Sequence, residues 1–158
     1  MIIRVSNKAL IFREGRVLLN KCARADGSGF YYDLPGGGQR PGEAAEDGLR
    51  REILEETGCR ITEIRFCGLF EEINVNPQDR ENYPDYCHRM IHVFTAQYAG
   101  QAAEPTEKDF CMLESVWLPL EEAGRLDDLL PRGLGEQLPE ILKGKVVWLG
   151  AQFVDGRM

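Results

Sequence analysis

Residues 37–59 read GGQRPGEAAEDGLRREILEETGC. Gly37 is followed after five residues by Glu43, and after seven more by Arg51-Glu52-Ile53-Leu54-Glu55-Glu56-Thr57-Gly58. If residues 52–56 are helical, Glu52 lies three and four positions before Glu55 and Glu56, and side chains at those spacings are neighbours on one face. Carboxylates held together in this way repel one another and need a counter-charge. A hard divalent cation is the natural one, because it takes oxygen ligands and keeps positions open for water and phosphate. The frame around the acids is built of turn residues. Leu34-Pro35-Gly36-Gly37-Gly38 reads as a strand end running into a glycine turn, and Pro41-Gly42 precedes the helix. Gly58 stands where a left-handed helix stop belongs. The alternative is a solvated acidic helix, as most charge runs are, and the glycines and acids taken together argue against it.

The stretch resembles the signature of the Nudix hydrolases, G-x5-E-x7-R-E-U-x-E-E-x-G-U with U aliphatic. Gly37, Glu43, Arg51, Glu52, Ile53, Glu55, Glu56 and Gly58 match it, and Cys59 replaces the last aliphatic residue. The resemblance implies an α/β fold, an α/β/α sandwich with a mixed central sheet and the signature as a loop–helix–loop at one end. It also implies metal-dependent hydrolysis of a pyrophosphate bond in a nucleoside diphosphate linked to another moiety, such as ADP-ribose, a sugar nucleotide or a (d)NTP. The NADH-type SQPWPFPxS pattern is missing. By position, Glu52, Glu55 and Glu56 are the expected ligands of Mg²⁺ or Mn²⁺, helped by the carbonyl of Gly37, and Glu52 is the first choice of general base. Arg51 orients the cluster and Glu43 ties the loop to that arginine; both are as readily structural as catalytic. The alternative function is a Nudix-fold module that binds a nucleotide for regulation without cleaving it. Such modules usually lose signature acids, and this chain keeps them.

The family often completes its site with an acid from outside the signature. Glu107, Asp109 and Glu114 are the candidates here, against the reading of an ordinary acidic loop; Glu107 and Asp109 are preferred because Glu114 falls in a strand. Phe30-Tyr31-Tyr32 precedes the glycine turn. Either Tyr31 or Tyr32 stacks on a base, not both, because strand side chains alternate faces; core packing is the competing role. Arg24 either contacts phosphate or is simply solvated. His88 and His92 share a strand face, but two histidines do not make a metal site, so structural roles are expected.

A length of 158 residues fits a single domain, residues 1–158, and 43% hydrophobic with 28% charged residues is ordinary soluble composition. No run of 18 apolar residues occurs, so no transmembrane helix is expected. The start of the chain lacks a signal-peptide pattern, which makes the cytoplasm the expected location. The five scattered cysteines form no CxxC pair and read as buried free thiols. A net charge of −7 works against binding nucleic acid through its backbone. It also means that an acidic protein acting on phosphates needs metal at its site.

Along the chain, strands are expected at 2–13 and 16–22 across a Glu14-Gly15 hairpin, and at 30–34. Helix follows at 44–57, with Ala45, Leu49 and Ile53 as its core stripe. Further strands are expected within 61–75, bent at Gly68, and at 89–98 and 114–118. Residues 76–86 read as a long polar loop, either a substrate lid or an arm to a second subunit, so a homodimer is possible. An amphipathic helix is expected over 120–130 and a short one over 135–142, limited by Pro139. Residues 146–153 form either a last strand or a tail that packs on a partner.

Overall fold

Glu14 and Gly15 both take positive φ, 49° and 73°. That mirror-image turn matches the twist of a two-strand hairpin. It folds β1 (Arg4–Arg13) onto β2 (Arg16–Ala23), with Ile11 opposite Leu18 and Arg13 opposite Arg16. The two strands then part. Asn20–Ala23 of β2 pair instead with β3 (Phe30–Asp33), and Ser6–Lys8 of β1 pair with β4 (Gly36–Gly38). The sheet therefore forks, and the computed structural model, which describes residues 2–107 and 111–156, places the candidate site at this fork.

The other strands extend the sheet on both sides. β6 (His88–Gln101) runs parallel to β1, β5 (Cys59–Asn74) antiparallel to β6, and β8 (Val147–Val154) parallel to β5 at the edge. β7 (Met112–Pro119) lies on the other side of β2. The sheet is mixed, in the order β3-β2-β1-β6-β5-β8 with β4 and β7 off that path. The bend expected at Gly68 is a register shift between Phe66 and Gly68. A Cβ on Gly68 would stand 3.1 Å from the Val147 carbonyl oxygen, so β8 needs the glycine to approach.

Helices cover both faces. α1 (Ala45–Thr57) buries Leu49 and Ile53 against Ala9, Ile11, Phe94 and Ala96, with Ala45 packed at the margin, as the spacing predicts. Each fully buried side chain of this size contributes about 1.5–3 kcal/mol. The helix stops at Gly58, φ 71°, whose N–H bonds the Leu54 carbonyl. Cys59 is 4% exposed in the same cluster, so the one departure from the signature keeps an apolar role. On the opposite face α4 (Leu134–Leu142) presents Leu134, Leu138 and Ile141 to Leu10, Val17, Leu19 and Val93. The result is an α/β/α sandwich. Cys22, Cys59, Cys67, Cys87 and Cys111 are all free.

Two expectations change, and a third, left open between two alternatives, is decided. Residues 76–86 are not a structureless loop but α2 (Pro77–Asn82) and a 3₁₀ turn at Pro84–Tyr86. The Asn76 side chain accepts from the N–H groups of Gln78 and Asp79, and Pro77 sits in the first turn, where its missing N–H costs nothing. The helix expected over 120–130 is only α3 (Leu120–Ala123). Beyond it the chain runs through turns to an isolated parallel bridge between Leu129 and Tyr32, where Tyr32 donates to the Asp128 carbonyl and Leu130 donates back to Tyr32, which satisfies the edge of β3. The 146–153 segment is a true strand of the sheet rather than a tail. Among the described residues, no helix is long and apolar enough to cross a membrane.

Candidate active site

Arg51 organises the acids. Its Nε and Nη2 donate to the two carboxylate oxygens of Glu43 at 2.8 and 3.0 Å, the paired geometry for which a guanidinium fork is suited. Nη2 also donates to the Gly38 carbonyl at 3.0 Å. Nη1 bridges Glu52 Oε1 at 2.6 Å and Glu55 Oε2 at 3.0 Å. One arginine on α1 thus ties the glycine turn to two helix carboxylates and to Glu43. The Arg51 hydrogen bond, followed by the Arg40 N–H on the same carboxylate, holds the Glu43 carboxyl down to about 2.

The third helix acid is placed differently. Glu56 is 4% exposed and accepts from Asn20 Nδ2 and the Gly36 N–H, both at 3.0 Å. It pins the glycine turn and β2 to α1. Glu52 faces the turn instead, and its Oε2 lies directly over Gly37. The structure brings Glu52 and Glu55 together on Arg51. Among the described residues no group of three Asp, Glu, His or Cys side chains forms a ready-made metal cage.

The fork opens into a cleft of about 460 Å³ whose lining includes Gly36–Gly38 and Glu52. One wall carries cations, and Asp33, Glu72 and Glu107 line the cleft beside them. Arg4, Ser6 and Lys8 alternate along β1 and point into it, and Arg89, opposite Arg4 on β6, joins them. Burial alone would lower the Lys8 ammonium, but Asp33 at 2.6 Å and the charge of Glu56 outweigh it and hold the lysine above its ordinary value. Burial would likewise lower Arg89; Glu72, contacted at 2.6 and 3.0 Å, reverses the sign. Arg4 lies over Gly38 and stacks on the Tyr86 ring, 4.5 Å from its centroid. No Arg4 carboxylate partner lies within ion-pair range among the described residues.

The sequence candidates outside the signature divide. Tyr31 lines the cleft and donates to Cys111 Sγ at 3.1 Å. Tyr32 packs with the core beneath α4. Alternation separates the pair as expected. Arg24 pairs with Asp128 at 2.5 Å and lies near the Tyr31 ring, with no part in the cleft lining. Glu107 lines the cleft, and its N–H bonds the Glu55 carbonyl at 3.0 Å. Asp109 lies outside the described residues. Glu114 faces a separate hollow beside Trp117, 3.8 Å from Lys21. His88 contacts Glu71 at 2.7 Å and His92 contacts Asn7 at 3.1 Å, the latter lowered by burial; both histidines are structural in these contacts.

Sequence reasoning missed Arg4, Lys8, Asn20 and Arg89, while Tyr86 belongs to the 76–86 segment read as a possible lid. The alternation of Arg4, Ser6 and Lys8 along the first strand was a usable signal. Asn20 and Arg89 come to the cleft by long-range pairing and carried none.

The NUDIX domain family model matches residues 3–141. The chain is 36% identical over 91 residues to the NAD-capped RNA hydrolase NudC of Pseudomonas syringae pv. tomato, covering 58% of this chain and only 28% of that protein. It is 28% identical over 121 residues to the oxidized purine nucleoside triphosphate hydrolase of Mus musculus, covering 75% of this chain and 68% of that one. Its fold matches a NUDIX hydrolase from Nitrosomonas europaea with a TM-score of 0.68 over 92% of each chain, at 19% identity.

Proposed function

The chain belongs to the Nudix family, and on that premise we propose that it hydrolyses the pyrophosphate bond of a nucleoside diphosphate linked to another moiety. ADP-ribose, a sugar nucleotide and a nucleoside triphosphate are the competing forms. The observation that carries this reading is the Arg51 network, which presents Glu52 to the glycine turn in a cleft that Arg4, Lys8 and Arg89 also line.

Mg²⁺ or Mn²⁺ is the cofactor we infer. The donor chemistry fits: oxygen from Glu52, Glu55, Glu56, the Gly37 carbonyl and Glu107, without thiol or imidazole, suits a hard cation and not Zn²⁺. Arg51 occupies Glu52 Oε1 and leaves Oε2 turned to Gly37. When bound, such an ion neutralises phosphate oxygens and lowers the pKa of water. The chain's own residues do the rest. Lys8, Arg4 and Arg89 draw the polyphosphate into the cleft and offset the chain's net negative charge. Glu52 takes the proton of the attacking water, held in place by Arg51, which Glu43 holds in turn. Tyr31, in the lining of the cleft, is the residue proposed to meet a base or sugar. A small nucleotide derivative is the partner, with no role for nucleic acid or membrane, and the cytoplasm is the proposed location.

The test is incubation with Mg²⁺ and a panel of ADP-ribose, sugar nucleotides, dinucleoside polyphosphates and (d)NTPs, with products identified by chromatography. Release of a phosphorylated nucleotide from one class is the expected outcome. Tight binding of a compound without turnover of any would overturn the hydrolase reading in favour of a sensor.

A further inference from the structure

The glycine turn divides the cleft into two unlike halves. β4 pairs with β1, which has β2, β3 and β7 on one side and β6 and β5 on the other. Cys22, Tyr31, Met112 and Leu130 line the first half, a mostly apolar wall with one ring. Glu72, Asn74, Tyr86 and Arg89 line the second.

Three charged residues cross the second half in a row. Arg4 is opposite Arg89 in the pairing of β1 with β6, and Arg89 is opposite Glu72 in the pairing of β6 with β5. Opposed residues share a face, and all three line the cleft. Neighbouring strands lie about 4.8 Å apart, so Glu72 stands about 10 Å from Arg4 along the row. Arg4 lies over Gly38, next to the glycine that Glu52 covers. A phosphate at the turn therefore has Arg4 beside it, with Glu72 further out by about one ring.

The contact between Glu72 and Arg89 is one-sided. Arg89 Nε and Nη2 both donate to Glu72 Oε1, at 3.0 and 2.6 Å, where a guanidinium fork more often takes one oxygen with each nitrogen. Glu72 Oε2 and Arg89 Nη1 have no hydrogen-bond partner among the described residues. Neither atom is sealed in, since no buried side-chain nitrogen or oxygen of the described residues lacks a partner. Both side chains line the cleft, so both atoms are open to it. An acceptor and a donor thus stand side by side. A hydroxyl group satisfies both, because it donates and accepts. A further phosphate has no proton to offer the carboxylate and is repelled by it.

We propose that Glu72 Oε2 and Arg89 Nη1 form a subsite for the hydroxyl groups of a sugar, so that the group beyond the scissile pyrophosphate is a sugar and not another phosphate. This rests on the hydrolase reading above and selects among its forms. The base lies on the Tyr31 side, the pyrophosphate at the glycine turn beside Arg4, and the sugar against Glu72. Arg89 holds the carboxylate in place before the ligand arrives, which lowers the cost of ordering it. The two residues set specificity and take no part in bond cleavage.

The test compares each sugar nucleotide with the triphosphate of the same base: ADP-ribose and ADP-glucose with ATP, GDP-mannose with GTP, UDP-glucose with UTP, all with Mg²⁺. The unsubstituted chain should favour a sugar nucleotide by at least about tenfold in kcat/KM, the scale of a hydrogen bond to a charged group. Glu72→Gln keeps an oxygen for Arg89 and turns the open acceptor into a donor. It should raise KM for the sugar nucleotide about tenfold or more, with kcat within a few-fold and KM for the triphosphate unchanged or lower. Should that variant melt below the assay temperature, Glu72→Gln combined with Arg89→Gln, which leaves no lone charge, should show the same loss of preference. Preference for the triphosphate, or equal weakening of both substrates in the variants, would overturn the sugar subsite and leave the hydrolase reading standing. Turnover of none of these compounds by the unsubstituted chain would remove both.

Discussion

Glu52 and Gly37 lie so close that a methyl group on the glycine would stand 2.3 Å from Glu52 Oε2. The neighbour that must give way is the end of a flexible side chain. Gly37→Ala should therefore leave the melting temperature almost unchanged while moving the carboxylate. A displacement of about 1 Å can cost about a hundredfold in rate, and kcat is expected to fall on that scale. Gly36→Ala should behave in the opposite way. Its φ is 125° and its Cβ would meet the Asn7 carbonyl oxygen at 2.2 Å, so it should lower the melting temperature first. An active Gly37→Ala enzyme would argue that the position of Glu52 is unimportant.

Replacing Glu52 by Gln keeps the shape and removes both charge and proton acceptor. A loss of at least about a hundredfold in kcat is expected, the scale of a general base. The fold should persist, because Arg51 retains Glu43 and Glu55. Excess EDTA should abolish turnover by the unsubstituted enzyme, and Mg²⁺ or Mn²⁺ should restore it. Activity within a few-fold of the parent in Glu52→Gln would pass the role to Glu55, Glu56 or Glu107.

The Arg51–Glu43 pair gives a pH dependence of stability. Glu43 titrates at about 2 in the folded chain against an ordinary 4.5. A carboxyl depressed in this way stabilises the fold fully above its unfolded value, and that contribution is lost as pH falls from about 4.5 through about 2. Glu43→Gln should have a lower urea midpoint than the parent at pH 7, and the two midpoints should converge towards pH 2. A constant gap between them would show that the pair carries no charge-dependent stability.

Tyr86 supports Arg4 over the glycine turn from the segment 76–86. Tyr86→Ala, or shortening of that segment, should raise KM several-fold and alter the preference among substrates, while the midpoint of Mg²⁺ activation stays fixed. A change in particle mass with unchanged kinetics would instead identify the segment as a subunit arm.

The signature was legible because its information is local. Helix spacing, the turn glycines and the stop at Gly58 are all read within 23 residues, counted from Gly37 to Cys59. The Glu14-Gly15 hairpin was legible for the same reason. The cationic wall was not, since Arg89 reaches it only through the parallel pairing of β6 with β1, which no neighbouring residue announces. Residues 120–130 were misjudged because the amphipathic pattern is real, but the Asp128 carbonyl and the Leu130 N–H are claimed by Tyr32. Residues 76–86 look like loop by composition, and only the Asn76 cap followed by Pro77 hints at a helix.

The parting of β1 and β2 has its apex closed by main chain: the Ala9 N–H donates to the carbonyl of Pro35 at 3.0 Å, and Pro35 is fully buried. That point of the cleft is thus fixed by amide groups, and exchanging side chains cannot move it. Redesign of ligand preference in this chain works through the side chains that line the rest of the cleft, among them Tyr31, Asp33, Tyr86 and Arg89.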